Sequence, residues 1–274
     1  MKLSIITVNL NNLDGLKKTY ESIVCQTWKD YEWIVIDGGS RDGSKEFIQD
    51  IVSSSGVNLA YWCCEADKGV YNAMNKGILK AQGEYLSFMN SGDCFYETLT
   101  LQTLFSEPRN ADVLYGNCSF VKKGGEELVH YPEKVSLGYF IIANLCHQAT
   151  IIKTSLLKDS LYLEDYKIVS DWERMLNWSS AGKVFEKVNC VLAKYDFSGM
   201  SSSNIELLET EKYSVLSTFM ESHPKEVERE MKQLQNAIDY IDCHETRVVA
   251  RLIARGHLRE IIVRALVKIL DKLL

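Results

Sequence analysis

Four short apolar runs, spaced through the first 93 residues and separated by stretches of helical periodicity, constrain this chain more than anything else in it. The runs are Leu3 to Val8, Tyr31 to Ile36, Leu59 to Cys64 and Tyr85 to Met89. Each is apolar and rich in β-branched or aromatic residues without strict alternation, the pattern of strands buried on both faces. Between them, Leu13, Leu16, Tyr20, Ile23 and Val24, then Phe47, Ile48, Ile51 and Val52, then Tyr71, Met74, Ile78 and Ala81, recur at helical spacing. The order β-α-β-α-β-α-β predicts an α/β fold around a parallel sheet with right-handed crossovers. Asn9, Asn11 and Asn12 follow the first strand, where an Asn caps the next helix, and Ser44 is placed to cap the second.

The ends of these runs carry the chemistry. Three of the four stop at or just before an acid: Asp37 in Asp37-Gly38-Gly39-Ser40, Asp67 in Glu65-Ala66-Asp67-Lys68-Gly69, and Asp93 in Asn90-Ser91-Gly92-Asp93. Any one of these is ordinary turn chemistry. Three on one edge of one parallel sheet, where open α/β sheets bind ligands, would repel one another unless they met a cation or donors from a ligand. That rim is the candidate site.

Composition removes several alternatives. The chain has 274 residues, 46% hydrophobic and 25% charged, with a net charge of −6, so it lacks the general basic field of a nucleic-acid binder. Its eight cysteines, at 25, 63, 64, 94, 118, 146, 190 and 243, form no C-x-x-C pair, and several sit inside apolar runs. That usage fits reduced thiols of a cytosolic protein better than a disulfide framework or a zinc site. The amino terminus reads as a first strand and not as a signal peptide, and no apolar stretch is long enough to span a membrane. Asn-Leu-Asn-Asn after the first strand excludes the G-x-G-x-x-G turn of a dinucleotide fold, and no basic, glycine-rich phosphate loop marks a nucleotidyltransferase.

Four spaced stretches stand out together: Ser4-Ile5-Ile6-Thr7-Val8-Asn9, Gln26-Thr27-Trp28 ahead of Trp33 to Ser44, Asp67 to Gly77 with Ala81 and Gly83, and the Asn90 to Asp93 turn. In combination they resemble the family 2 glycosyltransferases, in the style of bacterial exopolysaccharide and O-antigen enzymes. The resemblance covers about residues 1 to 205. It implies a GT-A fold, with a mostly parallel central sheet flanked by helices; the residues beyond it, 206–274, read from their composition as a C-terminal helical extension. It also implies an inverting transfer from a nucleotide-sugar, a UDP-sugar by expectation, to a saccharide or lipid-linked saccharide acceptor in cell-surface polysaccharide synthesis. By that resemblance Thr7, Asn9, Asp37 and Asp67 are nucleoside contacts, Asn90 and Ser91 belong to the donor site, and Asp93 holds the divalent cation, Mn2+ or Mg2+, that bridges the diphosphate. Here Asn90 and Gly92 stand where the family's turn usually has further acids, so one carboxylate remains. That departure keeps a second reading open, a sugar-nucleotide-binding module that has the fold without turnover.

The second half of the chain reads less regularly. Asp112 to Val121 is an apolar strand, followed by a turn at Lys122 to Gly125 and a partner strand at Leu128 to Tyr131; residues 132–144 are irregular or briefly helical. Cys146 to Ile152 resembles the family's strand into the acceptor half, with His147 either facing the cleft or serving as a satisfied structural histidine. Ser170-Asp171-Trp172-Glu173 opens a helix, where an acid is favoured by the helix dipole alone. In the family an acid here is the catalytic base, and Asp171 is the residue that matches. Val184 to Tyr195 reads as a late strand, and Ser198 to Ser202 resembles a loop over the donor phosphates, with Met200 where a smaller residue is usual.

From Glu206 the composition turns to helix formers, with Pro224 at the start of one helix. Residues 246–274 carry seven Lys and Arg against Glu260 and Asp271, with most apolar residues on one face. Such a segment lies on an anionic membrane or packs on a protein surface, and the sequence leaves both open. The location it predicts is cytoplasmic, with peripheral attachment to the inner face of the membrane if the first holds.

Overall fold

The computed structural model describes residues 1–53, 57–196, 204–230 and 232–233. It divides into two compact units, one of residues 1–134 and 145–213, the other of 135–144 with the described residues from 214 onward. The first unit holds the sheet. Its strands are β1 (Leu3–Asn9), β2 (Tyr31–Asp37), β3 (Leu59–Cys64), β4 (Tyr85–Phe88), β5 (Cys94–Phe95), β6 (Val113–Lys122), β7 (Gly125–Val129), β8 (Thr150–Lys153) and β9 (Phe185–Asp196). Their spatial order is β3-β2-β1-β4-β8-β6-β9-β5, with β7 paired on β6.

The first four strands are parallel, as the alternation predicts, and β1 and β2 are buried along their whole length. Beyond β4 the sheet changes character: β8 runs antiparallel to both β4 and β6, β5 antiparallel to β9, and β6 parallel to β9. The sheet is therefore mixed. Pairing direction depends on how each connection crosses the sheet, which the residues inside a strand do not encode.

Helices α1 (Leu13–Val24), α2 (Ser44–Ser53) and α3 (Val70–Lys80) connect the parallel strands. α3 packs on β1 so closely that a Cβ at Gly77 would sit 2.6 Å from Ile6 Cγ2. Asn12 caps α1 as expected, accepting from the Gly15 N–H. At α2 the cap is Asp42 and not Ser44: its Oδ1 accepts both the N–H and the hydroxyl of Ser44, a carboxylate being the stronger acceptor.

The later elements are α4 (Thr100–Leu104), a 3-10 turn at His147–Ala149, α6 (Thr154–Asp159), α7 (Ser170–Ser180) and α8 (Ile205–Ser222), with α5 (Leu137–Ile142) and the residues of α8 from 214 onward in the second unit. Residues 224–230 are helical from Pro224, as expected. The hairpin partner of β6 begins at Gly125 rather than Leu128, because a tight turn at Lys123-Gly124 pairs Lys122 with Gly125, and exposed Glu126 and Glu127 are tolerated on an edge strand. The seven described cysteines are free thiols. No helix among the described residues is long and apolar enough to cross a membrane. The loop 198–202 and the basic segment 246–274 lie outside the described residues.

Candidate active site

The carboxyl ends of β1, β2 and β4 form one rim. Asn9 pairs in register with Asp37, Asp37 with Cys64, and the turn after β4 lies alongside β1 through the Ser91 N–H donating to Val8 O at 3.1 Å. Ser91 Oγ donates to Asn9 Oδ1 at 2.7 Å, and Asn9 Nδ2 donates to Asp37 Oδ2 at 2.7 Å. Asn9, Asp37 and Ser91 are thus joined in one hydrogen-bonded string.

Asp37 is fully buried, and its own loop uses its oxygens heavily. Oδ1 accepts from the Gly39 and Ser40 N–H groups and the Cys64 thiol, and Oδ2 from Asn9 and the Ser40 hydroxyl. Burial alone would push its carboxyl up, but the bonds from Ser40, Asn9 and Cys64 outweigh it and hold the group below the usual range. Thr7 sits beneath the rim: it is fully buried and its Oγ1 accepts from the Trp33 indole N–H at 2.9 Å. Asp67 is half-buried, accepts from the Gly69 N–H at 2.9 Å, and approaches Gly38 so closely that a Cβ there would lie 2.6 Å from its Oδ2. Only glycine fits at position 38 without moving Asp67.

The Asn90 to Asp93 turn is braced from α1 by Thr19, a residue the sequence reading passed over. Its hydroxyl lies 3.1 Å from Asn90 O and 2.8 Å from Asp93 O and accepts the Gly92 N–H at 3.0 Å. Gly92 has φ +105, a backbone conformation that favours glycine at this point of the turn. Asp93 does not stand open on the rim. It is 4% exposed, Oδ1 accepts from the Asp196 N–H at 2.9 Å, and Oδ2 accepts from Gln148 Nε2 at 2.8 Å. Burial pushes its carboxyl up to about 7, with the Asp196 charge adding to the rise and the two hydrogen bonds opposing it. Such a group favours a cation, whether proton or metal. Asn90 Oδ1, a second hard oxygen of the same turn, is buried without a hydrogen-bond partner among the described residues. These oxygens fit Mg2+ or Mn2+ in donor type, although no cluster of three or more His, Cys, Asp or Glu suited to a metal occurs among the described residues.

Asp171 lies in the first turn of α7, half-buried. Its Oδ1 accepts from the Tyr71 hydroxyl at 2.6 Å. His147 follows the structural alternative: it is buried, stacks on Phe88 at 4.7 Å between centroids, and its Nε2 lies 2.8 Å from the Tyr162 hydroxyl. Burial holds its imidazole below the usual value, with Asp171 pulling the other way. Glu173 accepts from Asn177 Nδ2 and pairs with Arg174 at 3.2 Å; burial raises its carboxyl.

What positions Asp171 comes from far away in sequence. Asn72 and Asn75 on α3 both donate to Glu164, and Asn75 also bonds the Tyr162 backbone. Glu211 on α8 accepts the Lys167 and Ile168 N–H groups at 2.7 and 2.9 Å. The available signal for α3 was polar: Tyr71 and Asn75, four residues apart, share its buried face with Met74 and Ile78.

Comparison with known proteins bears on this arrangement. The family described as Glycosyl transferase family 2 matches residues 4–157. An uncharacterised glycosyltransferase of Mycobacterium tuberculosis is 34% identical over 215 residues, covering 73% of this chain and 77% of that protein. A PGL/p-HBAD biosynthesis glycosyltransferase of Mycobacterium bovis is 29% identical over 214 residues, covering 74% and 80%. Among solved structures, S. aureus TarS 1-349 in complex with UDP-GlcNAc superimposes with a TM-score of 0.61 at 20% identity, covering 72% of this chain and 58% of that one. The mannosyltransferase PcManGT from Pyrobaculum calidifontis, in complex with GDP-Man and Mn2+, gives 0.58 at 14% identity, covering 97% and 86%. The match across more than half of the chain, on a mixed sheet flanked by helices, makes this protein a member of the family 2 glycosyltransferases with the GT-A fold.

Proposed function

We propose that the protein transfers a sugar from a UDP-sugar to a hydroxyl of a saccharide or lipid-linked saccharide, with inversion, and that Asp171 is the general base. One contrast carries the reading. Asp37 and Asp93 are buried with both oxygens engaged, whereas Asp171 is half-buried and its Oδ2 has no hydrogen bond among the described residues. A base must reach the hydroxyl it deprotonates, and Asp171 alone of the three offers an oxygen for that. The donor is a nucleoside diphosphate sugar by analogy with TarS and PcManGT, solved with UDP-GlcNAc and GDP-Man. The acceptor class follows from the family resemblance, and the relatives named for PGL/p-HBAD biosynthesis support a biosynthetic role.

In this mechanism the acceptor oxygen attacks the anomeric carbon, its proton passes to Asp171, and the carbon–phosphate oxygen bond breaks with its electron pair leaving on the diphosphate. Asn9, Asp37, Asp67 and Ser91 line the nucleoside side. A donor group reaches Asp37 by replacing the Ser40 hydroxyl, which can rotate away. Thr7 supports this side from beneath through Trp33. Asp93 and Asn90 would hold a divalent ion, which when bound neutralises charge on the leaving diphosphate. Residues 1–205 carry donor binding and catalysis in this reading, with 206–274 as a helical extension.

Asp171→Asn tests it. The amide keeps size and helix-start compatibility but cannot take the proton. UDP release from the UDP-sugar that most raises the melting temperature should fall roughly 10²–10⁴-fold with donor affinity unchanged. Near-normal turnover would remove Asp171 from the chemistry. Flotation of the full chain and of a chain ending at residue 245 on anionic vesicles separates the two readings of 246–274: membrane attachment requires the segment, whereas aggregation of the shortened chain places it in the protein's own packing.

A further inference from the structure

Tyr71 is buried on α3, and its hydroxyl lies among three groups. Asp171 Oδ1 is 2.6 Å away, the Ile168 carbonyl oxygen 2.7 Å, and the Asp171 N–H 3.5 Å. Its ring packs against Tyr162 at 5.4 Å between centroids, so the phenol cannot swing out to solvent without breaking the core. A phenol has one proton, yet two of its neighbours are acceptors. A carbonyl oxygen only ever accepts. A carboxylate accepts most strongly when ionised, since a hydrogen bond to a charged oxygen is about twice as strong as a neutral one.

We propose that Tyr71 is the positioning residue of the base: its hydroxyl pins Asp171 Oδ1, so that Oδ2 is the atom that takes the acceptor's proton. This rests on Asp171 being the base. The side chain of an aspartate has two rotatable bonds, and fixing one oxygen on a buried donor fixes where the other points. The same hydroxyl also suits the reaction cycle. While Asp171 is ionised, the proton of Tyr71 lies on Oδ1. Once Oδ2 has taken the acceptor's proton, Oδ1 is a weaker acceptor, and the hydroxyl turns toward the Ile168 carbonyl without moving a heavy atom.

The other charged or titratable groups that act on Asp171 do so from a distance. Tyr162 and His147 are buried and bonded to each other, and Lys212 of α8 lies 5.6 Å over the Trp172 ring, where burial lowers its ammonium and the Asp171 charge opposes that fall. Among the described residues, Tyr71 is the side chain that donates a hydrogen bond to Asp171. Burial drives the Tyr71 phenol well above its ordinary range, followed by the Asp171 charge, so it stays a donor throughout the working pH range.

The competing account is that Tyr71 only ties down the Ile168 carbonyl. A double-mutant comparison on the full chain separates the two. Tyr71→Phe should lower kcat roughly 10- to 100-fold with donor KM within about twofold of wild type. The acid limb of its kcat profile should move to higher pH, because the ionised carboxylate has lost a donor. Combined with Asp171→Asn it should cost little more than Asp171→Asn alone, because both remove the same function. A Tyr71→Phe enzyme that turns over within about twofold of wild type, or whose loss multiplies that of Asp171→Asn, overturns the assignment. A slow Asp171→Asn beside a normal Tyr71→Phe overturns the role of Tyr71 and leaves the base in place; a normal Asp171→Asn removes both. If melting shows that Tyr71→Phe does not fold, 3-fluorotyrosine incorporated at position 71 keeps the shape and donates more strongly. Its acid limb should move to lower pH, and an unmoved limb overturns the proposal.

Discussion

Asn75 and Tyr162 exchange two hydrogen bonds, Asn75 Nδ2 donating to Tyr162 O at 2.9 Å and the Tyr162 N–H donating to Asn75 Oδ1 at 3.0 Å. An amide side chain here does what a neighbouring strand would do, and it fastens the loop ahead of α7 to helix α3. Asn75 is 5% exposed, so neither backbone group has ready access to water.

Asn75→Ala leaves both groups of Tyr162 without their partner. A buried group so stranded costs about 1–3 kcal/mol, so the variant should lose on the order of 3 kcal/mol by denaturant unfolding. Asn75→Asp should be no better, since it keeps one acceptor but brings a charge against Glu164, which Asn75 now contacts at 3.0 Å. A loss under about 0.5 kcal/mol in both variants would mean that the loop is held elsewhere.

For Asp93, the expected outcome concerns metal and ligand together. Asp93→Ala should remove the dependence of UDP binding on Mn2+ while the protein still melts cooperatively. Calorimetry of UDP with and without the ion reads this directly. If manganese strengthens UDP binding to the variant as much as to wild type, the ion sits on other residues.

His147 gives a pH dependence whose sign follows from its environment. Burial holds its folded-state proton affinity below the ordinary value of 6.5, so below that pH the unfolded chain binds more protons than the folded one. The neutral ring's contribution is complete above pH 6.5 and is lost as pH falls from there toward the folded value. His147→Gln, which does not titrate, should lack this slope. The stability difference between wild type and variant should therefore shrink between pH 8 and pH 5, by at most about 1.4 kcal/mol per unit. A difference that stays constant over that range would show that the histidine is not kept neutral.

The parallel half of the sheet was legible because β1, β2 and β4 are buried on both faces, and that demand is written as unbroken apolar runs. β5 was not legible: Cys94 and Phe95 are two residues whose strand character exists only through pairing with Lys194 and Ala193. At the site, Asp37 was marked by its place at a strand end and Asn9 and Ser91 by the family resemblance, but neither signal showed that Asp37 would spend its oxygens on Ser40, Asn9 and Cys64. Which partner satisfies an acid depends on contacts between segments far apart in the chain. Glu211 was invisible for the same reason, since a glutamate on a helix reads as solvated until its helix is placed.

That glutamate carries the last expectation. Glu211 is 8% exposed and spends one oxygen on the Lys167 N–H and the other on the Ile168 N–H, while the Ile168 carbonyl receives the Tyr71 hydroxyl. The peptide on either side of Ile168 is therefore held from two helices, three residues before Asp171. Glu211→Gln is nearly isosteric, yet it turns one acceptor into an NH2 that faces a backbone N–H and weakens the bond that remains by removing the charge. The loop should lose one anchor and Asp171 some of its fixed placement. A misplacement of this kind acts on the oriented reaction more than on donor binding, so kcat should fall roughly tenfold or more while donor affinity changes little. Stability should drop by about 1–3 kcal/mol from the stranded donor. Glu211→Asp, too short to reach both N–H groups, should behave alike. If Glu211→Gln loses stability but keeps wild-type kcat, the anchor serves only the fold, and the placement of Asp171 depends on α3 alone.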